Sequence, residues 1–185
     1  MSNTAVYTVG RFNPMHLGHE ALINRVGAIA KQEKADAWVF PTPSHDPKKN
    51  PLKFEQKIYF LKKAFPKVNF NTNKKYNNPF SALDYLATKY EHIILVVGSD
   101  RVPEMQNKLE PYFIKTYQKG NETIEVVQSG LRGDIKVGGV DISGTSMRNF
   151  VKADDYDNFV KGVPSSLPKS EIPKLFNAVK AGMQL

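Results

Sequence analysis

The sequence predicts an α/β domain of three layers, α/β/α, built on a five-stranded, mostly parallel sheet and closed by a helical C-terminal tail. Three observations carry this expectation. Strand-like and helix-like hydrophobic patterns alternate along the chain, which favours right-handed crossovers between parallel strands. One strand candidate, His92-Ile93-Ile94-Leu95-Val96-Val97, is a continuous apolar run of the kind covered on both faces. The first, second, fourth and fifth strand candidates run directly into polar or glycine-rich loops, and in such sheets ligands gather beyond the carboxyl ends of the strands. No repeat or linker interrupts the pattern, so residues 1–185 read as one domain, with an α/β core over 1–152 and the tail over 153–185.

Each element has its own local signal. Ala5 to Val9 reads as the first strand and feeds into Gly10-Arg11-Phe12-Asn13-Pro14-Met15-His16-Leu17-Gly18-His19, which a helical pattern leaves over residues 20–33. Ala37 to Phe40 is a short buried strand, and the segment Pro41 to Pro47 that follows can only be loop. Phe54, Ile58, Leu61 and Phe65 then recur at helical spacing until Pro66 stops them. Val68 to Asn71 is a weak third strand. Pro79, behind Asn77 and Asn78, opens a helix expected to run through Tyr90 with Phe80, Leu83, Leu86 and Ala87 inward. The fourth strand, 92–97, ends in Gly98-Ser99-Asp100-Arg101, and a helix starts between Val102 and Glu104, where Pro103 is tolerated in the first turn. Thr123 to Gln128 is the fifth strand, followed by a flexible loop from Ser129 to Asp134 and a turn at Gly138-Gly139. Hydroxyls in Asp141 to Ser146 can cap a helix through Lys152, one turn into which lies Arg148. Two tail helices, 155–161 and 170–183, are split by the breaker Gly162 to Pro168, and Ile172, Leu175, Phe176 and Val179 give the last one a core face.

Composition excludes more than it assigns. The 185 residues include no cysteine, which removes disulfides, thiolate metal sites and cysteine nucleophiles. Neither a signal peptide nor an apolar run of membrane-spanning length is visible, so a soluble cytoplasmic protein without a membrane partner is expected. A net charge of +8 favours anionic partners, nucleotides among them. The lysine pairs 48-49, 62-63 and 74-75 look scattered between elements and lack interleaved aromatics, so nucleic acid is not the expected partner. A homo-oligomer stays open.

The first loop carries the chemistry. His16 and His19, three apart with Gly18 between them, stand at the start of a helix, where two imidazoles share one face with free backbone N–H groups. That is an anion site. Pro14 and Gly18 suit a sharp turn and a close backbone approach, and Arg11 adds a permanent positive charge. Zinc would need a third ligand, and neither His45 nor His92 has the spacing, so no protein metal site is predicted. The plain alternative is that both histidines are exposed helix-start residues.

Taken together and in this order, GRFNPMHLGH and Ile142-Ser143-Gly144-Thr145-Ser146-Met147-Arg148 resemble the nucleotidylyltransferase superfamily with an HxGH signature, the cytidylyltransferase-like proteins. The resemblance extends over about residues 5 to 152 and is greatest to the archaeal-type nicotinamide mononucleotide adenylyltransferases. The segment Asn50 to Ile58 also resembles that group's second-substrate region, with Gln56-Lys57 where Glu-Arg is usual and Asn13 where Gln is usual. The resemblance implies a Rossmann-like fold and transfer of AMP from ATP to a phosphorylated acceptor, nicotinamide mononucleotide first, forming NAD and releasing pyrophosphate. It implies His16, His19 and Arg148 as catalytic residues and Gly10, Arg11, Phe12, Gly18, Asp100, Ser143, Gly144 and Thr145 around the nucleotide. Asn50 and Lys57 would meet the acceptor. Magnesium would arrive on the triphosphate rather than in an acidic cage. Open alternatives are a cytidylyltransferase, another nucleotidylyltransferase with a different phosphorylated acceptor, and a non-catalytic nucleotide-binding module.

Overall fold

The computed structural model describes residues 2–130 and 135–185; Leu131 to Asp134 of the expected loop lie outside the described residues. Five strands, β1 (Thr4–Gly10), β2 (Asp36–Pro41), β3 (Asn69–Phe70), β4 (His92–Val97) and β5 (Thr123–Gln128), form one sheet in the order β3-β2-β1-β4-β5. Every neighbouring pair in it is parallel. The chain builds outward from β1 to β3, then returns to start again at β4. The gap beyond the ends of β1 and β4 is therefore the switch point, where crossovers depart to opposite sides and leave a crevice.

The period-two alternation of β1 sorts its side chains between two layers. Val6 joins Val26, Ile29 and Ala30 of α1 (Leu17–Glu33) together with Ile94 and Val96. Ala5 and Tyr7 face the other way, onto Leu83 and Leu86 of α3 (Pro79–Ala87) and Leu109 and Phe113 of α4 (Val102–Thr116). A third cluster lies under the first loop. It joins Phe12, Met15 and Leu52 to α2 (Phe54–Ala64), to α5 (Gly144–Lys152), and to the tail helices α6 (Tyr156–Gly162) and α7 (Ile172–Gly182). The tail thus shares the core that floors the loop.

Where boundaries differ from expectation, a local reason is visible. The third helix stops at Ala87 instead of Tyr90, where the chain tightens into a turn with the Lys89 and Tyr90 amides both donating to the Leu86 carbonyl at 2.9 Å. The last helix begins at Ile172, after a 3₁₀ turn over Lys169–Glu171, since Pro173 lacks the N–H that a helix interior needs. The expected turn at Gly138-Gly139 closes an antiparallel hairpin of β6 (Lys136–Val137) and β7 (Val140–Asp141), with both glycines at positive φ, 58° and 79°. Those two-residue strands are too short to show periodicity.

Charge is sorted too. Residues 47–83 hold nine lysines against the single acid Glu55, which accounts for the whole net charge of +8. All but Lys57 are exposed, and the segment wraps the β3 edge of the sheet. Among the described residues no helix is long and apolar enough to cross a membrane.

Candidate active site

Both site helices start beyond the switch point. At α1, His16 is the N-cap and His19 the third helical residue, and they fill the roles that Ser and Glu share in a capping box. The Gly18 amide donates to His16 Nδ1 at 3.0 Å, and the His16 amide donates to His19 Nδ1 at 3.2 Å. A ring nitrogen that accepts a backbone N–H carries no proton, so each neutral imidazole must hold its proton on Nε2. Burial and then the Arg148 charge push the His16 pKa down to about 4. Burial, then His16, holds His19 well below the usual imidazole range. At neutral pH the pair is therefore two uncharged Nε2–H donors, with ring centroids 3.8 Å apart and the rings tilted by 33°.

The motif glycines make room for these side chains. A Cβ on Gly18 would stand 2.8 Å from the His16 ring, and one on Gly10 would stand 2.9 Å from the Phe12 ring. Phe12 takes a left-handed backbone with φ 49° and lies buried under His19, ring centroids 4.6 Å apart. It supports the imidazole from below and has no face left for a ligand. At Gly144 a Cβ would come within 2.8 Å of Arg148 Nη1. The sequence suggested that Gly18 admits the ligand's approach; its first neighbour is His16.

Helix α5 faces α1 across the crevice. Its N-cap, Ser143, accepts from the Ser146 amide at 3.0 Å, and the Ser143 amide donates to Ser146 Oγ at 2.9 Å. Arg148, one turn in, is held at both ends of its fork, with Nη1 donating to the Asn13 carbonyl at 3.0 Å and Nη2 to Thr145 Oγ1 at 3.2 Å. Burial, then repulsion from Arg11, lowers its pKa, while Asp46 acts in the opposite sense. Two helix N-termini thus meet in one cleft of about 530 Å³ lined by Gly10, His16, Gly18, His19, Ser143 and Gly144. Val9, Leu22, Gly98, Asp141 and Ile142 also line it, and sequence reasoning assigned none of these to the site. Asp100 is exposed at the rim, its Oδ1 2.9 Å from where a Cβ on Gly98 would be, and no side chain caps α4.

Asn50 and Lys57 lie outside this cleft, in and behind the loop between β2 and α2. The Thr42 amide ties that loop to the end of β1, donating to the Gly10 carbonyl at 2.9 Å. Asp46 organises its tip by accepting from the Lys48 and Lys49 amides and from Asn50 Nδ2, and these bonds, the Asn50 one first, hold its carboxyl down at about 2. Lys57 is 1% exposed and donates to the Thr42 carbonyl, with no carboxylate within 4 Å among the described residues. Burial, then the Arg11 charge, pushes its pKa down to about 8. The unfolded chain binds the Lys57 proton more tightly, so this residue opposes folding below about pH 8, and its cost fades between there and the ordinary lysine value of 10.5. Lys57→Met is expected to raise Tm at pH 7, by about 2–4 °C for each kcal/mol recovered, and the gap from wild type should narrow above pH 8. Thermal melts at pH 7 and 9.5 check both. A lower Tm at pH 7 would mean that the ammonium is paired after all.

Sequence reasoning also passed over Asn13 as more than a motif letter. Its side chain holds both main-chain groups of Leu52, accepting from the amide at 2.7 Å and donating to the carbonyl at 3.1 Å. No local pattern announces a partner 39 residues away. Asp46 was equally hidden, although Asp followed at two and three residues by free amides is a recognisable turn signal.

Comparison with known proteins follows the same geometry. Residues 7–158 match the family model described as cytidylyltransferase-like. No curated protein sequence matches the chain. Among solved structures, Thermotoga maritima TmcAL bound with alpha-thio ATP is similar at 11% identity and a TM-score of 0.53, over 100% of this chain and 56% of that one. A macrolide-efflux protein from Streptococcus pneumoniae is similar at 17% identity and a TM-score of 0.50, over 88% of this chain and 57% of the other. The chain therefore spans little more than half the length of either, and at these identities the likeness is one of fold.

Proposed function

The chain belongs to the cytidylyltransferase-like family, and on that premise we propose that it transfers a nucleotidyl group from a nucleoside triphosphate to a phosphorylated acceptor. One observation carries the reading: two neutral imidazole donors at one helix start face a second helix start across a single cleft, and a forked guanidinium is held one turn into that second helix. An acceptor phosphate oxygen attacks the α-phosphorus, the new P–O bond forms as the α–β bridge breaks, and pyrophosphate leaves with the electron pair. The nucleophile is already an anion, so no general base is required. Catalysis then rests on positioning and on charge that shifts from acceptor to leaving group. His16 and His19 donate to the phosphate under attack, the α5 start with Ser143, Gly144 and Thr145 holds the distal phosphates, and Arg148 meets the departing charge. Gly10 and Gly18 line the cleft, Phe12 supports His19 from below, and the exposed side chains of Arg11 and Asp100 would reach the nucleotide from outside that lining.

No three His, Asp or Glu side chains converge among the described residues, which suits a magnesium ion carried by the triphosphate better than one held by the chain. Bound there, it would supply charge neutralisation. Lys57, buried without an anion beside Arg11, suits an acceptor phosphate, and Asn50 lies in the same loop.

The finer reading is ATP as donor and nicotinamide mononucleotide as acceptor. It rests on the motif pair GRFNPMHLGH and ISGTSMR. That TmcAL, similar in fold, was solved with alpha-thio ATP is in keeping with an adenine nucleotide. The test is pyrophosphate release with ATP, CTP, GTP and UTP against a panel of phosphorylated acceptors. ATP with nicotinamide mononucleotide is expected to give the largest signal. Preference for CTP with an alcohol phosphate would move the chain to a cytidylyl transfer, and silence across the panel would leave a binding module.

A further inference from the structure

The C-terminal helix ends on the loop that leads into α2. A Cβ on Gly182, the last residue of α7, would fall 2.0 Å from the Pro51 carbonyl oxygen and 2.7 Å from its carbon. Both obstacles are main chain, so neither can swing aside as a flexible side chain could. Around this contact Leu175, Val179 and Met183 pack in one core with Leu52 and Met15. At the other end of α7 its N-cap Glu171, 6% exposed, accepts from the Tyr59 hydroxyl of α2 at 2.9 Å. The loop between β2 and α2 is thus clamped by the tail rather than by the sheet alone.

From Pro51 the contacts continue into the cleft. Leu52 is 1% exposed, and both its main-chain groups are held by the Asn13 amide. Asn13, itself 3% exposed, offers its carbonyl to Arg148 Nη1 at 3.0 Å. We propose that Gly182 is a positioning residue: the end of α7 sets Pro51, and through Leu52 and Asn13 it sets both the acceptor loop and the orientation of the Arg148 guanidinium. The absence of a side chain at 182 lets the helix end close on the Pro51 main chain. Any side chain there must lift the loop, and the two bonds between Asn13 and Leu52 then either break or drag Asn13 away from Arg148. The inference rests on the transfer reading above for its kinetic arm only.

The experiment compares wild type, Gly182→Ala, Asn13→Ala and the double variant, with Gly27→Ala as a control, since a Cβ there meets nothing within 4 Å. Each is assayed for acceptor KM, kcat, the ATP dissociation constant, Tm and hydrogen exchange of the Leu52 amide. Gly182→Ala is expected to lower kcat/KM for the acceptor by about 10- to 100-fold, the scale of a displacement of about 1 Å at a reacting site, with ATP affinity nearly kept. Exchange at Leu52 should quicken, and the double variant should be little worse than either single one. A folded Gly182→Ala with normal kcat and KM, or with a lowered Tm alone, overturns the proposal, and so do fully additive losses. If Gly182→Ala does not fold, Asn13→Ala reads the same contacts from the other end, and normal kinetics there overturn it as well. Should wild type turn over no substrate pair, the transfer reading has failed by itself, and Leu52 exchange in Gly182→Ala still decides between relay and none.

Discussion

His19→Ala is expected to lower kcat by about 100- to 1000-fold, the usual loss when one preorganised donor to a transition state is removed. The physical cause lies in the capping geometry: the His16 amide occupies His19 Nδ1, which commits the proton to Nε2 and to the cleft. The same substitution frees a helix-start amide, so a stability loss of about 1 kcal/mol should accompany it. A melting curve separates the two effects. Because the ring works as a neutral donor with its pKa held low by burial, kcat should show no inflection near the ordinary imidazole pKa of about 6.5. His19→Asn, which retains a neutral N–H donor, should keep part of the rate. Near-normal turnover in a folded His19→Ala would remove the residue from the chemistry.

Arg148→Lys should cost more in kcat than in ATP affinity. One arm of the guanidinium is fixed on the Asn13 carbonyl and the other on Thr145, so its plane is set before any ligand arrives. If that plane meets pyrophosphate as the α–β bridge breaks, the contact strengthens toward the transition state, and a lysine restores the charge without the fork. A fall in kcat of about 10-fold or more, with an ATP dissociation constant within about 3-fold of wild type, is the expected pattern for a contact made chiefly in the transition state. Equal losses in both quantities would make Arg148 a uniform binder, and unchanged turnover would leave only its stem packing in the core.

The sheet was readable from the chain because its central strands are long apolar runs and its loops are rich in breakers. Thr123–Gln128 falls at the expected bounds, and the helix from Gly144 ends at the expected Lys152. The third strand shrank from Val68–Asn71 to Asn69–Phe70, as befits an edge segment of which Phe70 supplies the one apolar residue that is buried. The two histidines, Ser143 and Arg148 were legible because each stands at or near a helix start, where spacing along the chain fixes position in space. Asn13 and Gly182 were not, since their partners are remote in sequence and belong to another segment's backbone. The capping box also blurred two readings that compete on paper: His16 and His19 are helix-start residues and cleft residues at once.

Residues 47–83 carry a net charge equal to that of the whole chain, and the remaining residues sum to zero. An anionic reactant diffusing inward is therefore drawn chiefly toward that lysine-rich segment. At millimolar salt this field reaches well past the surface, whereas at an ionic strength of about 0.15 M it fades within ~8 Å. Added salt should therefore slow capture of the acceptor while leaving the bound reactants to proceed as before, so that the same protein works far from its encounter limit in one buffer and close to it in another.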